Sequence, residues 1–157
     1  MLCDVDDKAI AVIEYESMIF GRHLAGLPGR TRRTGGVLDH SAYSLLSILQ
    51  ARGPSSIREL TAVTGLDAST LNRQTAALLR ENYAVRIPDP AGGLARKYQI
   101  TDHGERTLRE EREASRAALA GLIADWSETD RATFAELLRR LNDAIEQHVG
   151  RHWPRPS

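Results

Sequence analysis

The sequence predicts a mainly α-helical protein with one small β-hairpin, and three observations carry that prediction. Residues 55–101 read as two short helical patterns parted by Gly65, then two β-prone stretches around a Gly-rich turn. Apolar residues recur at helical spacing on both sides of this segment. The 157 residues, 41% hydrophobic and 27% charged, suit one compact domain with an appended helical element.

Taken in order, Ile10, Ile13, Tyr15, Met18, Ile19 and Leu24 predict a helix from about Asp6 to Ala25. The stretch GLPGRTRRTGG follows, a glycine-rich loop made basic by Arg30, Arg32 and Arg33. SAYSLLSILQARGP is an apolar helix. Ser56, Ile57, Arg58 and Glu59 then form an S-x-x-E capping box, with Leu60 and Val63 pointing inward and Gly65 making the turn. Asp67 suits the N-cap of the next helix, since its carboxylate accepts free amides and complements the dipole. In that helix Leu71, Leu78 and Leu79 define the expected buried stripe, with Thr75 at its edge. AVRIPDPAGGLARKYQIT supplies the hairpin. From Thr101 a helix is expected to run to about Asp125, with Leu108, Ser115, Leu119, Leu122 and Trp126 in register. Ser127 and Asp130 start another, with Phe134, Leu137, Leu138, Leu141, Ile145 and Val149 along one face.

Helix, tight turn, helix and hairpin in this order describe a winged helix-turn-helix, whose second helix is shaped for a DNA major groove. The outer face of that helix carries Ser69, Thr70, Asn72, Arg73 and Gln74. Hydroxyls and amides suit phosphates, Arg suits guanine, and Asn or Gln suits adenine. A polar helix face is often only solvated, but the preceding helix and following hairpin favour nucleic acid. Net charge is zero, so distribution matters more than the sum: residues 21–52 carry five bases against one acid, while the first 20 carry five acids against one base. The candidate DNA contacts are Ser56, Ser69, Thr70, Asn72, Arg73 and Gln74, with Arg96 and Lys97 on the wing. Arg30, Arg32 and Arg33 are candidates for flanking phosphates.

From Asp39 to Gly150 the chain resembles the MarR-type winged-helix transcriptional regulators. The resemblance rests on the helix before the module, on Asp67, Ser69, Thr70 and Arg73 in a D-x-S-T-x-x-R pattern, and on Asp89, Pro90, Ile100, Thr101 and Gly104 in a D-P…I-T-x-x-G pattern. It implies a transcriptional regulator with a small-molecule effector bound between the dimer helices and the DNA-binding domain. Tyr15, Met18, Ile19, His23 and Tyr43 are the candidate residues for that site, and their character favours an aromatic or lipophilic effector. The wing departs from the family pattern. Gly93 and Leu94 stand where arginines are usual, and Arg96 and Lys97 come later, so the wing is expected to touch phosphate. Some relatives sense oxidants through a cysteine in the first helix. Here Cys3 is expected to precede that helix, beside Asp4, Asp6 and Asp7, which raise a thiol's pKa and dull it.

The long amphipathic helices at both ends need another surface, and a second copy of the chain is the simplest one. The expected organisation is therefore a winged helix-turn-helix DNA-binding domain at 38–101 and a helical dimerisation region from 1–37 and 102–157. The partners expected are double-stranded DNA and a second copy, with no membrane, cofactor or metal. No apolar run reaches the roughly 18 residues of a membrane span. The acidic start MLCDVDD does not read as a signal peptide, which points to the cytoplasm. One cysteine makes no disulfide framework, the five histidines are scattered, and no phosphate-binding loop or nucleophile elbow is present, so an enzyme is not expected. His148 and His152 read as part of a frayed end. The function expected is a homodimeric repressor on a palindromic operator, with a winged-helix protein-interaction module as the rival.

Overall fold

The computed structural model of the chain describes residues 3–24, 26 and 37–155. Six helices and one antiparallel hairpin follow in the order α1 (Cys3–Leu24), α2 (His40–Arg52), α3 (Ile57–Thr64), α4 (Ala68–Arg80), β1 (Ala84–Pro88), β2 (Arg96–Ile100), α5 (Asp102–Leu122) and α6 (Glu128–Val149). Arg30, Arg32 and Arg33 lie outside the described residues.

Local chemistry starts each helix from α2 to α6. Asp39 caps α2, accepting from the Ala42 N–H at 2.8 Å. Asp67 does the same for α4 from Thr70, Thr101 for α5 from Gly104, and Ser127 for α6 from Asp130. The capping box at α3 is complete, with the Ser56 hydroxyl accepting from the Glu59 N–H and the Glu59 carboxylate accepting from the Ser56 N–H. The first helix begins at Cys3, three residues before the expected start. Cys3 therefore belongs to the first turn rather than preceding the helix.

The core lies within 38–108. Leu45, Leu46, Ile48 and Leu49 of α2 meet Leu60 and Val63 of α3, Leu71 and Leu78 of α4, Tyr98 of β2 and Leu108 of α5. One expectation for α4 reverses here. Thr75, placed at the edge of the stripe, is fully buried, whereas Leu79 is only partly buried against the core. The Thr75 hydroxyl donates to the Leu71 carbonyl at 2.8 Å, which satisfies the polar group and admits it among leucines.

The wing is fastened at three places. In the hairpin Ala84 faces Ile100, Arg86 faces Tyr98 and Pro88 faces Arg96. Ser55, fully buried, adds a bridge to Tyr98 through N–H···O bonds of 3.0 and 2.8 Å. Gly104 lets α5 cross the Tyr83 backbone, because a Cβ there would collide with the Tyr83 carbonyl oxygen. Beyond Ser115 α5 leaves the core. Its buried positions are Gly104, Thr107, Leu108, Glu111 and Ser115, while Leu122 and Trp126 of the expected stripe are exposed, Trp126 beyond the helix end. α6 buries no residue, and no described side chain of α1 is buried. No described helix is long and apolar enough to cross a membrane.

Candidate nucleic-acid interface

Helix α4 stands between the α3 turn and the hairpin with one face turned out. Ser69, Asn72, Arg73, Ala76 and Arg80 are exposed at helical spacing, a mostly polar stripe opposite Leu71, Thr75 and Leu78. Asn72 and Arg73 present the side chains best suited to base edges. Arg80 closes the stripe beside Glu81 at 3.5 Å. Thr70 and Gln74 are half-buried, and the Gln74 Oε1 is enclosed without a hydrogen-bond partner.

The first turn of α4 is held by Asp67. Its carboxylate accepts from the Ser69 hydroxyl at 2.5 Å, the Thr70 N–H at 2.8 Å and the Thr70 hydroxyl at 2.8 Å. These bonds, led by the one from Ser69, hold the Asp67 pKa far below the usual carboxylate range. Arg73 in turn reaches the Thr70 hydroxyl at 3.4 Å. The Ser69 and Thr70 hydroxyls thus donate inward and offer acceptor lone pairs outward. A DNA phosphate must displace Asp67 to take their protons.

Two of the sequence candidates are committed elsewhere in the fold. Ser56 is buried, and its hydroxyl both accepts from the Glu59 N–H and donates to Glu59 Oε2 at 2.9 Å. Lys97 points inward, with its side chain 16% exposed and its Nζ 3.3 Å from Glu59 Oε1 and 3.4 Å from Asp89 Oδ1. Burial opposes the charge on Lys97, yet these carboxylates outweigh it and raise its pKa. Glu59 is held below its ordinary value, first by the Ser56 N–H and also by Lys97. The capping box of α3 and the base of the wing therefore share one carboxylate.

The outward cations of the wing are Arg96 and Arg86, the second absent from the sequence candidates. Arg86 donates to the Tyr98 hydroxyl at 2.7 Å and lies 5.3 Å from the centre of its ring. The signal for it was its register: it faces Tyr98 across the hairpin. At the tip Leu94 is fully exposed, and Asp89 accepts from the Ala91 N–H at 3.0 Å.

The five candidate effector residues are not gathered around one cavity. Tyr15 and Met18 are more than half exposed, His23 is exposed, Ile19 is half-buried, and Tyr43 packs against the core. An apolar groove of about 540 Å³ lies instead between α1 and α6. Ile13, Phe20, Phe134, Leu137, Leu138 and Leu141 line it with Glu16 and Ser17, and none of the five is among them. His152 lies beyond the end of α6, exposed, with its Nδ1 3.7 Å from Glu146 Oε2. The described residues contain no cluster of metal-ligating side chains.

Comparison with known proteins places this geometry. Residues 38–84 match the winged helix-turn-helix DNA-binding family. The uncharacterized HTH-type transcriptional regulator YxaD of Bacillus subtilis is 35% identical over 140 residues, covering 89% of this chain and 97% of that one. The structure of a MarR family protein from Bacillus stearothermophilus superposes with a TM-score of 0.71 at 19% identity, covering 90% of this chain and 96% of that one. The transcriptional regulator BldR from Sulfolobus solfataricus gives 0.67 at 19% identity over the same shares. The chain belongs to the HTH-type transcriptional regulators, with a winged helix-turn-helix and the fold of the MarR family structure.

Proposed function

We propose that this regulator is a homodimeric repressor that reads a palindromic operator through α4 and is released by a small-molecule effector. The exposed stripe of Asn72 and Arg73, beside an outward Arg86 and Arg96, carries the reading. Residues 38–101 serve as the DNA-binding domain, and 1–37 with 102–157 as the dimerisation region. Ser69 and Thr70 position the helix on phosphate once their hydroxyls turn from Asp67, Asn72 and Arg73 reach bases, and Arg96 and Arg86 meet the backbone beside the groove. Ser56 and Lys97 support this set without joining it, and Arg30, Arg32 and Arg33 remain candidates for flanking phosphates.

The second copy covers the apolar faces of α1 and α6. Ile10, Ile13, Leu137, Leu141 and Ile145 there are 44–62% exposed in one chain, and a second copy is the simplest surface to cover them. The groove residues Ile13, Glu16, Ser17 and Phe20 take one side of α1, and Tyr15, Met18, Ile19 and His23 take another. The first side packs with α6 and the second subunit. Among the described residues the second side and Tyr43 share no cavity within one chain, so an effector site formed from them is completed by the second subunit. An effector works there by favouring a separation of the two recognition helices other than the roughly 34 Å that successive major grooves require.

Selection of duplexes from a random pool by the purified protein tests the function. The expected product is a palindrome with half-sites about 10 base pairs apart. Recovery of no preferred duplex at any salt concentration overturns the DNA reading in favour of a protein-interaction module.

A further inference from the structure

Helix α6 ends on Gly150, whose φ of 67° turns the chain so that the Arg151 N–H meets the Glu146 carbonyl at 3.1 Å. The tail then folds back on the helix. Glu146 accepts from the Trp153 N–H at 3.1 Å and from both Arg155 terminal nitrogens at 2.6 and 3.1 Å, and Arg155 also reaches Asp143 at 3.0 Å. His152 stands on the same carboxylate. Two of the three cationic or titratable tail side chains are therefore spent on α6.

Arg151 turns the other way. Its guanidinium lies across Gly65, where a Cβ would stand 2.7 Å from Cζ and 3.0 Å from Nε. Gly65 is the left-handed cap of α3, two residues before Asp67 opens the recognition helix. Arg151 is exposed, and it takes part in none of the ion pairs among the described residues. In a helix-turn-helix on DNA the first helix crosses the backbone and the second enters the groove by its N-terminus, so the turn between them overlooks phosphates.

We propose that Arg151 is a phosphate-binding residue, carried to the helix-turn-helix by the C-terminal tail and aimed there by the Glu146–Arg155 latch. This rests on the DNA-binding reading above. A guanidinium at the groove rim can bind a phosphate through two parallel N–H donors, and its exposure leaves those donors open to one. The contact also ties the reading head to α6, so that a movement of the dimer helices moves a backbone anchor.

The test measures operator affinity against salt concentration for the full-length protein and for Arg151→Ala, Arg151→Lys, Arg155→Ala and Arg73→Ala. Arg151→Ala is expected to flatten the salt slope by about 2 per dimer, one counterion term from each subunit. Arg151→Lys should restore most of the slope, and Arg155→Ala should reproduce part of the loss by freeing the tail. A cation can also simply stabilise the C-terminal end of α3. In that case Arg151→Ala lowers the melting temperature and leaves the slope unchanged, which overturns the proposal. If Arg73→Ala weakens binding while Arg151→Ala does not change the slope, the inference fails and the DNA reading stands. If the wild-type protein selects no duplex, both fail together.

Discussion

The winged module and the helical arms are built from similar helices, yet they resolve their apolar faces in opposite ways. Leu45, Leu46 and Ile48 of α2 disappear into a closed core, and so do Leu71 and Leu78 of α4. Phe134, Leu137, Leu141, Ile145 and Val149 of α6 are spaced just as regularly and stay 43–51% exposed. Amphipathicity alone therefore does not decide burial. A stripe is buried only when a second surface arrives, and here the hairpin, the Ser55 bridge and the base of α5 bring one to the module. Among the described residues the arms meet only each other, across the α1–α6 groove, and that leaves their apolar residues largely exposed.

That contrast can be broken most sharply in the core. Leu46→Ala removes a side chain with no exposed surface and should cost about 2–5 kcal/mol in chemical denaturation. Leu141→Ala in α6 should cost about 1 kcal/mol or less in the isolated chain, because the residue is already 44% exposed. Equal losses under conditions that keep the protein monomeric would show that the arms share the module's core.

The next experiment turns the arms against themselves. Leu141→Glu with Ile145→Glu should give monomers by sedimentation, with the module's slow-exchanging amides unchanged. Loss of the second half-site should weaken operator binding by about 10²-fold or more, since linked binding events multiply. A double mutant that remains dimeric would move the interface off this face of α6.

The two regions also differ in how much of them could be read from the chain. The N-caps at Ser56, Asp67, Thr101 and Ser127 depend on neighbours three residues away, and all four stand where the sequence predicts them. So do the turn at Gly65 and the hairpin, because backbone geometry constrains them locally. Thr75 and Leu79 exchanged places because burial on α4 is set by how it crosses α2 and β1, a tertiary matter. Sequence alone leaves Lys97 among the candidate DNA contacts, because its partner Glu59 lies 38 residues away, beyond any helical or hairpin spacing. The groove is a still longer pairing, of Ile13 and Phe20 with Phe134 and Leu137. Helical periodicity showed that both α1 and α6 have apolar faces. It carried no information on which sides of them would meet.

Within the module, a smaller effect separates reading residues from supporting ones. Arg73→Ala should cost about 1–3 kcal/mol at one operator position and relax the base preference there. Lys97→Ala should leave that preference unchanged and instead loosen the wing, seen as faster amide exchange at Tyr98 and Ser55. The opposite pattern would place Lys97 on the DNA and Arg73 among the supports.

The smallest effect compares two carboxylates, one in each region, that are held ionised by different means. Asp67 owes its lowered pKa first to the Ser69 hydroxyl and then to the Thr70 N–H and hydroxyl, all neutral donors. Glu146 owes its lowered pKa first to the Arg155 guanidinium, aided by the Trp153 N–H and the charge of Arg155. In both, the folded pKa lies below the unfolded one. Each contribution to stability is therefore complete above the ordinary carboxylate value and is lost as pH falls through the folded pKa. Asp67→Asn keeps a capping side chain that cannot titrate. The stability difference between wild type and this variant should hold level above about pH 5 and change as pH is lowered toward 3, where unfolded Asp67 takes up a proton. The same comparison for Glu146→Gln should show a similar onset. Salt then distinguishes them, because screening shortens from about 10 Å at 0.1 M to about 3 Å at 1 M and acts on charge pairs. High salt should shrink the pH-dependent part at Glu146 and leave that at Asp67 nearly intact. If both respond alike, the cap of the recognition helix depends on a charge rather than on the two hydroxyls folded back upon it.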